Sequence, residues 1–192
     1  MKKFAFIGIA LLLALLLGAA FLLRGGADAR DARLPAGADF VLQSAEGPVD
    51  SRKLRGTVLL VYFGYTNCPD ICPASLAEGG RALNALTPDE RKRVRLIMVS
   101  VDPERDTPAH LKAYTAFFHP EMTGVTGTPQ EVAALARAFG AGYVRQPPKP
   151  DASYAVDHTT ATYVVDRDGR LAEVLELGAP TDKVVAAVRK RL

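Results

Sequence analysis

The chain has 192 residues, of which 48% are hydrophobic and 23% charged, with a net charge of +3. About twenty residues go to one apolar run, leaving a single domain of roughly 150 residues, a size that buries about 68–70% of its unfolded surface and needs no staples. Lys2, Lys3, Arg24, Arg30 and Arg33 flank that run against Asp28 and Asp31, so nineteen basic and nineteen acidic residues remain from Leu34 onward; a neutral domain carries no electrostatic footprint for nucleic acid.

Phe4 to Leu23 is a run without a charge, rich in leucine and alanine. At 1.5 Å per residue, twenty residues span about 30 Å, the thickness of a bilayer's hydrocarbon core. The basic residues before it predict a single transmembrane helix with a cytoplasmic N-terminus and an exported domain. The rival is a cleaved signal peptide, for which Ala27-Asp28-Ala29 offers an A-x-A site. Twenty apolar residues exceed the usual signal core, and both readings deliver the domain to an oxidising compartment. Residues 24–38 read as a linker, so the expected organisation is anchor and linker at 1–38 and one domain at 39–192.

Short strands are predicted at 39–44 and 49–54 around the Glu46-Gly47-Pro48 turn. Thr57 to Phe63 is a continuous apolar run of the kind buried on both faces of a sheet. A helix over 74–86 follows, then a second buried strand over 93–101. Thr107-Pro108 and Thr128-Pro129 each place threonine at an N-cap and proline at the first helical position, predicting helices to about Phe118 and Phe139. A strand at 142–145 precedes a proline-rich loop over 146–153. Strands at 160–165 and 171–177 flank Asp166-Arg167-Asp168-Gly169-Arg170, a hairpin signal with glycine available for positive φ. Thr181-Asp182 opens a last helix ending in basic residues. The order β-β-β-α-β-α-α-β-β-β-α predicts an α/β sandwich with a mixed sheet.

The only two cysteines, Cys68 and Cys72, lie between the buried strand and the helix. If the turn is helical, their i, i+4 spacing puts both sulfurs on one face. Helix N–H groups there favour thiolate, which is the nucleophile of disulfide exchange and a soft ligand for Cu(I). Pro73 removes an N–H that a helix start leaves unpaired. A structural disulfide closing so short a loop stabilises by only about 2 kcal/mol. The residues alone leave three readings: a structural bridge, redox chemistry and metal binding.

Phe63-Gly-Tyr-Thr-Asn-Cys68-Pro-Asp-Ile-Cys72-Pro73, Ser100-Val-Asp-Pro-Glu-Arg-Asp-Thr107-Pro108 and Asp157-His158-Thr159 occur in that order. Together they resemble the Sco/SenC family of copper chaperones of cytochrome c oxidase assembly, over roughly residues 39–192. The resemblance implies a thioredoxin-like fold and one copper ion, Cu(I) or Cu(II), held by Cys68, Cys72 and His158. It implies delivery to the copper A-bearing subunit of the oxidase, with another copper chaperone or a thioredoxin-like reductant as further partners. The expected location is a bacterial inner membrane, single-pass, with the domain facing the periplasm. Thioredoxin-like reductases usually space their cysteines by two residues and place a cis-proline before a late strand. Here three residues intervene, and Tyr154 to Thr159 holds a histidine and no proline.

Of the other candidates, His110 reads as a solvated helix residue and His119 as a helix C-terminal residue explained by capping or the dipole. Asp157 either orients His158 through its second ring nitrogen or is a solvated strand end. Asp70 reads as an exposed turn carboxylate, Met98 as core, and Asp102 to Thr107 as strand-end and helix-capping chemistry. The alternative function is a thiol–disulfide reductase that maintains the oxidase's copper-site cysteines. A peroxidase lacks a motif around Cys68, and a copper sensor lacks a signalling module.

Overall fold

Two apolar runs make the centre of the molecule. In the computed structural model, which describes residues 34–192, every residue of β3 (Val58–Gly64) is buried, as is all of β4 (Val94–Ser100) except half-buried Arg95. The two pair in parallel, Val58 opposite Val94 through Gly64 opposite Ser100. β5 (Thr123–Val125) extends the sheet in parallel beyond β4. On the other side β8 (Thr162–Val165) pairs antiparallel with β3, and β9 (Leu171–Leu175) antiparallel with β8. The order β5-β4-β3-β8-β9 is a mixed sheet whose antiparallel part is the expected hairpin. Gly169 adopts φ 82° in its turn, the left-handed conformation that glycine takes without a Cβ penalty.

Alternation along β3 sends its side chains to opposite faces. On one face Tyr62 meets α1 (Ile71–Ala85), and α1 packs beside α5 (Thr181–Arg189). On the other, Phe63, Tyr163 and Phe139 of α4 (Pro129–Phe139) form a triangle of edge-on rings with centroids 5.6–5.7 Å apart. α3 (Pro108–Phe118) lies against β5, where Leu111 is fully buried. Helices on both faces of a mixed sheet make this the thioredoxin-like α/β sandwich that the motifs implied.

Several boundaries differ from the sequence pattern. The segment read as a strand over 49–54 divides into β2 (Gly47–Asp50), paired with β1 (Val41–Ser44), and a 3-10 turn at Ser51–Leu54. Asp50 accepts the Arg52 N–H at 3.0 Å, and this side-chain bond turns the chain. α1 begins at Ile71, so Cys72 and Pro73 lie in its first turn, where a proline costs no helix bond. A short helix, α2 (Pro88–Arg91), carries a capping box between Thr87 and Glu90. β6 (Tyr143–Arg145) does not join the main sheet; it pairs with β7 (Val156–His158) in a separate two-stranded ribbon.

The apolar run at 4–23 and the Ala27-Asp28-Ala29 pattern lie outside the described residues. Among those described, no helix is long and apolar enough to cross a membrane.

Candidate metal centre

β3 ends at Gly64 and delivers the chain into the cysteine loop at the C-terminal edge of the sheet. A Cβ on Gly64 would stand 2.8 Å from Cys72 Sγ and 2.7 Å from Tyr62 Cε1, so only glycine lets the strand end pass this close to the sulfur. Thr66 is fixed next: its N–H and hydroxyl donate to Asp106 at 3.1 and 2.5 Å. Cys68 follows, its N–H donating to the Tyr65 carbonyl at 3.4 Å. Cys72, in the first turn of α1, donates its N–H to Cys68 Sγ at 3.4 Å; the chain is not helical before Ile71, so the two sulfurs meet across a bend and not on a shared helix face as the spacing suggested.

His158 closes β7 and reaches the pair from the other side, its Nε2 3.3 Å from Cys72 Sγ. Its Nδ1 lies 3.0 Å from the Thr159 carbonyl. A carbonyl only accepts, so Nδ1 carries the proton and Nε2 turns its lone pair toward the cysteines. Tyr62 and Tyr65 meet the imidazole edge-on, centroids 6.2 and 5.7 Å away with both ring planes at 89°. The Tyr62 hydroxyl also donates to Cys72 Sγ at 3.6 Å.

The two sulfurs and the imidazole nitrogen lie within 4.8 Å of one another. Metal–sulfur bonds of about 2.3 Å separate two sulfurs on one ion by up to about 4.6 Å, so donors gathered within 4.8 Å stand close to the span that one ion bridges. Two thiolates and an imidazole suit a soft or borderline metal rather than a hard one. Both cysteines are free thiols. Cys72 has no exposed surface, and burial pushes its thiol up to about 12. That corrects the expectation that the helix start would make it a thiolate: loss of hydration outweighs the N-terminal dipole at this sulfur. As a neutral thiol Cys72 donates to His158 Nε2, and an incoming ion takes that proton's place.

The remaining candidates fall elsewhere. Asp157 does not orient His158; it points outward and accepts from Gln146 Nε2 at 2.5 Å, while the Thr159 carbonyl does the orienting. His110 is exposed on α3. His119 is buried, and burial lowers its pKa. Its Nδ1 accepts the Glu121 N–H at 3.1 Å, so the ring braces the turn after α3, and the helix end is closed by the His119 backbone N–H on the Thr115 carbonyl. Asp70 is exposed at the start of α1, without a side-chain capping bond, and Met98 is core. No peptide bond among the described residues is cis.

Sequence reasoning missed Tyr62, which reads as part of a buried run, and Tyr65, which stands in the cysteine motif with no role assigned to it. It also missed Gly64, Asp102, Arg105 and Asp106 as parts of the site's support. Asp102 and Asp106 are 4% and 1% exposed, and only the fold shows that they face the cysteine and histidine segments rather than cap a helix.

The SCO1/SenC family profile matches residues 28–192. An SCO2-like protein of Rickettsia conorii is 34% identical over 155 residues, covering 80% of this chain and 75% of its own length. The structure of Bradyrhizobium japonicum ScoI with copper bound aligns with TM-score 0.75 at 37% identity, covering 82% of this chain and 99% of that one. BsSco, described as a member of the Sco family of cytochrome c oxidase assembly proteins with a disulfide switch, aligns with TM-score 0.65 at 27% identity, covering 83% and 94%. With the profile covering most of its length and the same domain aligned throughout, the chain belongs to the SCO1/SenC family.

Proposed function

We propose that this protein binds one copper ion through Cys68, Cys72 and His158 and delivers it to the copper A centre during cytochrome c oxidase assembly. The carrying observation is the convergence of these three donors within 4.8 Å beyond the C-terminal end of the central strand β3. Two thiolates hold Cu(I), and the imidazole adds the nitrogen that Cu(II) favours. Copper bound to a structural relative and the assembly role attributed to another support the assignment. The full reading places an anchor and linker at 1–38 and the working domain at 39–192, single-pass in a bacterial inner membrane and facing the periplasm.

A second reading has one observation in its favour: both cysteines are free thiols close enough to exchange with a partner's disulfide. The same dithiol would then keep the oxidase's copper-site cysteines reduced. His158 separates the two. In cells carrying His158→Ala, copper delivery predicts failed oxidase assembly that added copper partly rescues, while the purified variant still reduces a disulfide substrate. Normal assembly with His158→Ala, alongside failure with Cys68→Ser, would give the essential role to the reductase.

A further inference from the structure

His158 belongs to a ribbon that the main sheet does not hold. β6 and β7 pair only with each other, and a two-stranded ribbon is marginal without support. Val156 buries into the core beneath it, and its polar attachment runs through the segment between β4 and α3. Asp102, 4% exposed, binds Arg105 through one carboxylate oxygen and accepts the Tyr154 hydroxyl at 2.8 Å through the other. Arg105 Nη1 donates to the Tyr154 carbonyl at 3.0 Å, and its guanidinium carbon lies 3.6 Å from the centre of the Tyr154 ring. The guanidinium also stands 5.7 Å from the centre of Tyr65, the ring that meets His158 edge-on. Tyr65 in turn accepts the Val156 N–H at 3.3 Å, two residues before the histidine. The outer side of Tyr154 is covered by Arg145, itself paired with Glu104 at 2.6 Å. The same segment's Asp106 fixes Thr66 on the cysteine side.

We infer that Arg105, held by Asp102, is a positioning residue for His158: it latches the ribbon to the strand end that carries the cysteines and so sets the imidazole over the sulfur pair. The inference rests on the three-donor copper reading and adds to it how the third donor is held. A planar guanidinium is needed, because it must pair with a carboxylate, bond a carbonyl and stack on a ring at once, and an ammonium cannot do all three. Without the latch Cys68 and Cys72 keep their own supports, so the site falls back to two sulfurs.

The test compares full-length wild type, Arg105→Gln, Arg105→Lys, Tyr154→Phe and His158→Ala. In metal-free protein, Arg105→Gln should speed amide exchange across 154–158 by about 10-fold while β3 and β4 stay protected. It should bind one Cu(I) as wild type does, yet bind Cu(II) about 10- to 100-fold more weakly and lose thiolate-to-Cu(II) absorption in step. Arg105→Lys should recover part of both signals. Tyr154→Phe, which removes only the hydroxyl bonded to Asp102, should move them in the same direction by less and covers the case in which Arg105→Gln fails to fold. Unchanged exchange and absorption in the Arg105 variants, or faster exchange with an unchanged Cu(II) spectrum, overturns the positioning role while the copper site stands. Wild-type Cu(II) absorption in His158→Ala overturns the three-donor site and the positioning role with it.

Discussion

Cys72 shows how closely one side chain's environment is specified. Its sulfur has a backbone strand end on one side, a tyrosine hydroxyl on another and an imidazole on a third. Burial, with no positive charge among these neighbours to offset it, keeps the thiol protonated until an ion replaces the proton. The tightest contact is with Gly64. Gly64→Ala adds one carbon where Cys72 Sγ and the Tyr62 ring leave 2.8 and 2.7 Å, well inside contact distance. Overpacking of this kind costs about 1–3 kcal/mol. The variant should melt earlier, and its displaced sulfur should weaken Cu(I) binding in a competition titration. Wild-type stability with wild-type affinity would mean that the strand end yields freely.

Among the elements, the connection from β4 to α3 carries more than its length suggests. Asp106 accepts from Thr66 twice and from Ser100 Oγ at 2.6 Å, so one buried carboxylate joins the ends of two adjacent parallel strands. Asp106→Ala leaves these donors unpaired at a site 1% exposed. Bonds to a charged acceptor contribute about 1.5–3 kcal/mol, and orphaned donors add to the loss, so destabilisation of about 3 kcal/mol or more is expected by denaturant unfolding. A loss under about 1 kcal/mol would contradict the clamp.

A second tie between elements is electrostatic. Glu90 of α2 meets Arg189 of α5 at 2.8 and 3.1 Å, and these bonds, with the Thr87 N–H, pull its pKa down to about 2. A carboxylate depressed in the folded state contributes stability above its unfolded pKa and loses it as pH falls toward about 2. Glu90→Gln should therefore be less stable than wild type near neutrality, and the gap should close toward pH 2. Because Arg189 is about half exposed, high salt should narrow it too. A gap that does not change with pH would assign the effect to packing.

The elements that were legible in the sequence are those with a strong local signal. β3 and β4 were readable as continuous apolar runs, α3 and α4 from Thr-Pro starts, and the β8–β9 hairpin from its glycine turn. β5 and β7 were not, because three residues carry no period and pair only through distant partners. α2 was readable in principle from Thr87-x-x-Glu90 but is a single turn. The three donors were found through motifs and their resemblance. Their supports were not, because a buried aspartate between a strand and a helix has the same sequence appearance whether it caps the helix or reaches across to another strand.

In the whole molecule, the central strand and the β6–β7 ribbon bring three donors together, and the chain before them carries an N-terminal segment outside the described residues. The apolar run at 4–23 and its basic flank predict that a reporter fused after Leu192 is active outside the cytoplasm and sediments with the membrane. Release of the domain into the soluble fraction would favour cleavage after Ala29. The central claim is narrower and does not depend on the anchor: one copper ion, two sulfurs and one imidazole. X-ray absorption of the copper-loaded protein reads it directly. The expected result is one copper per chain, two sulfur neighbours and one nitrogen neighbour in the wild type, with the nitrogen missing in Cu(I)-loaded His158→Ala and no bound copper in Cys68→Ser/Cys72→Ser. A full equivalent of copper retained without the cysteines, or a nitrogen neighbour that survives the loss of His158, would contradict it.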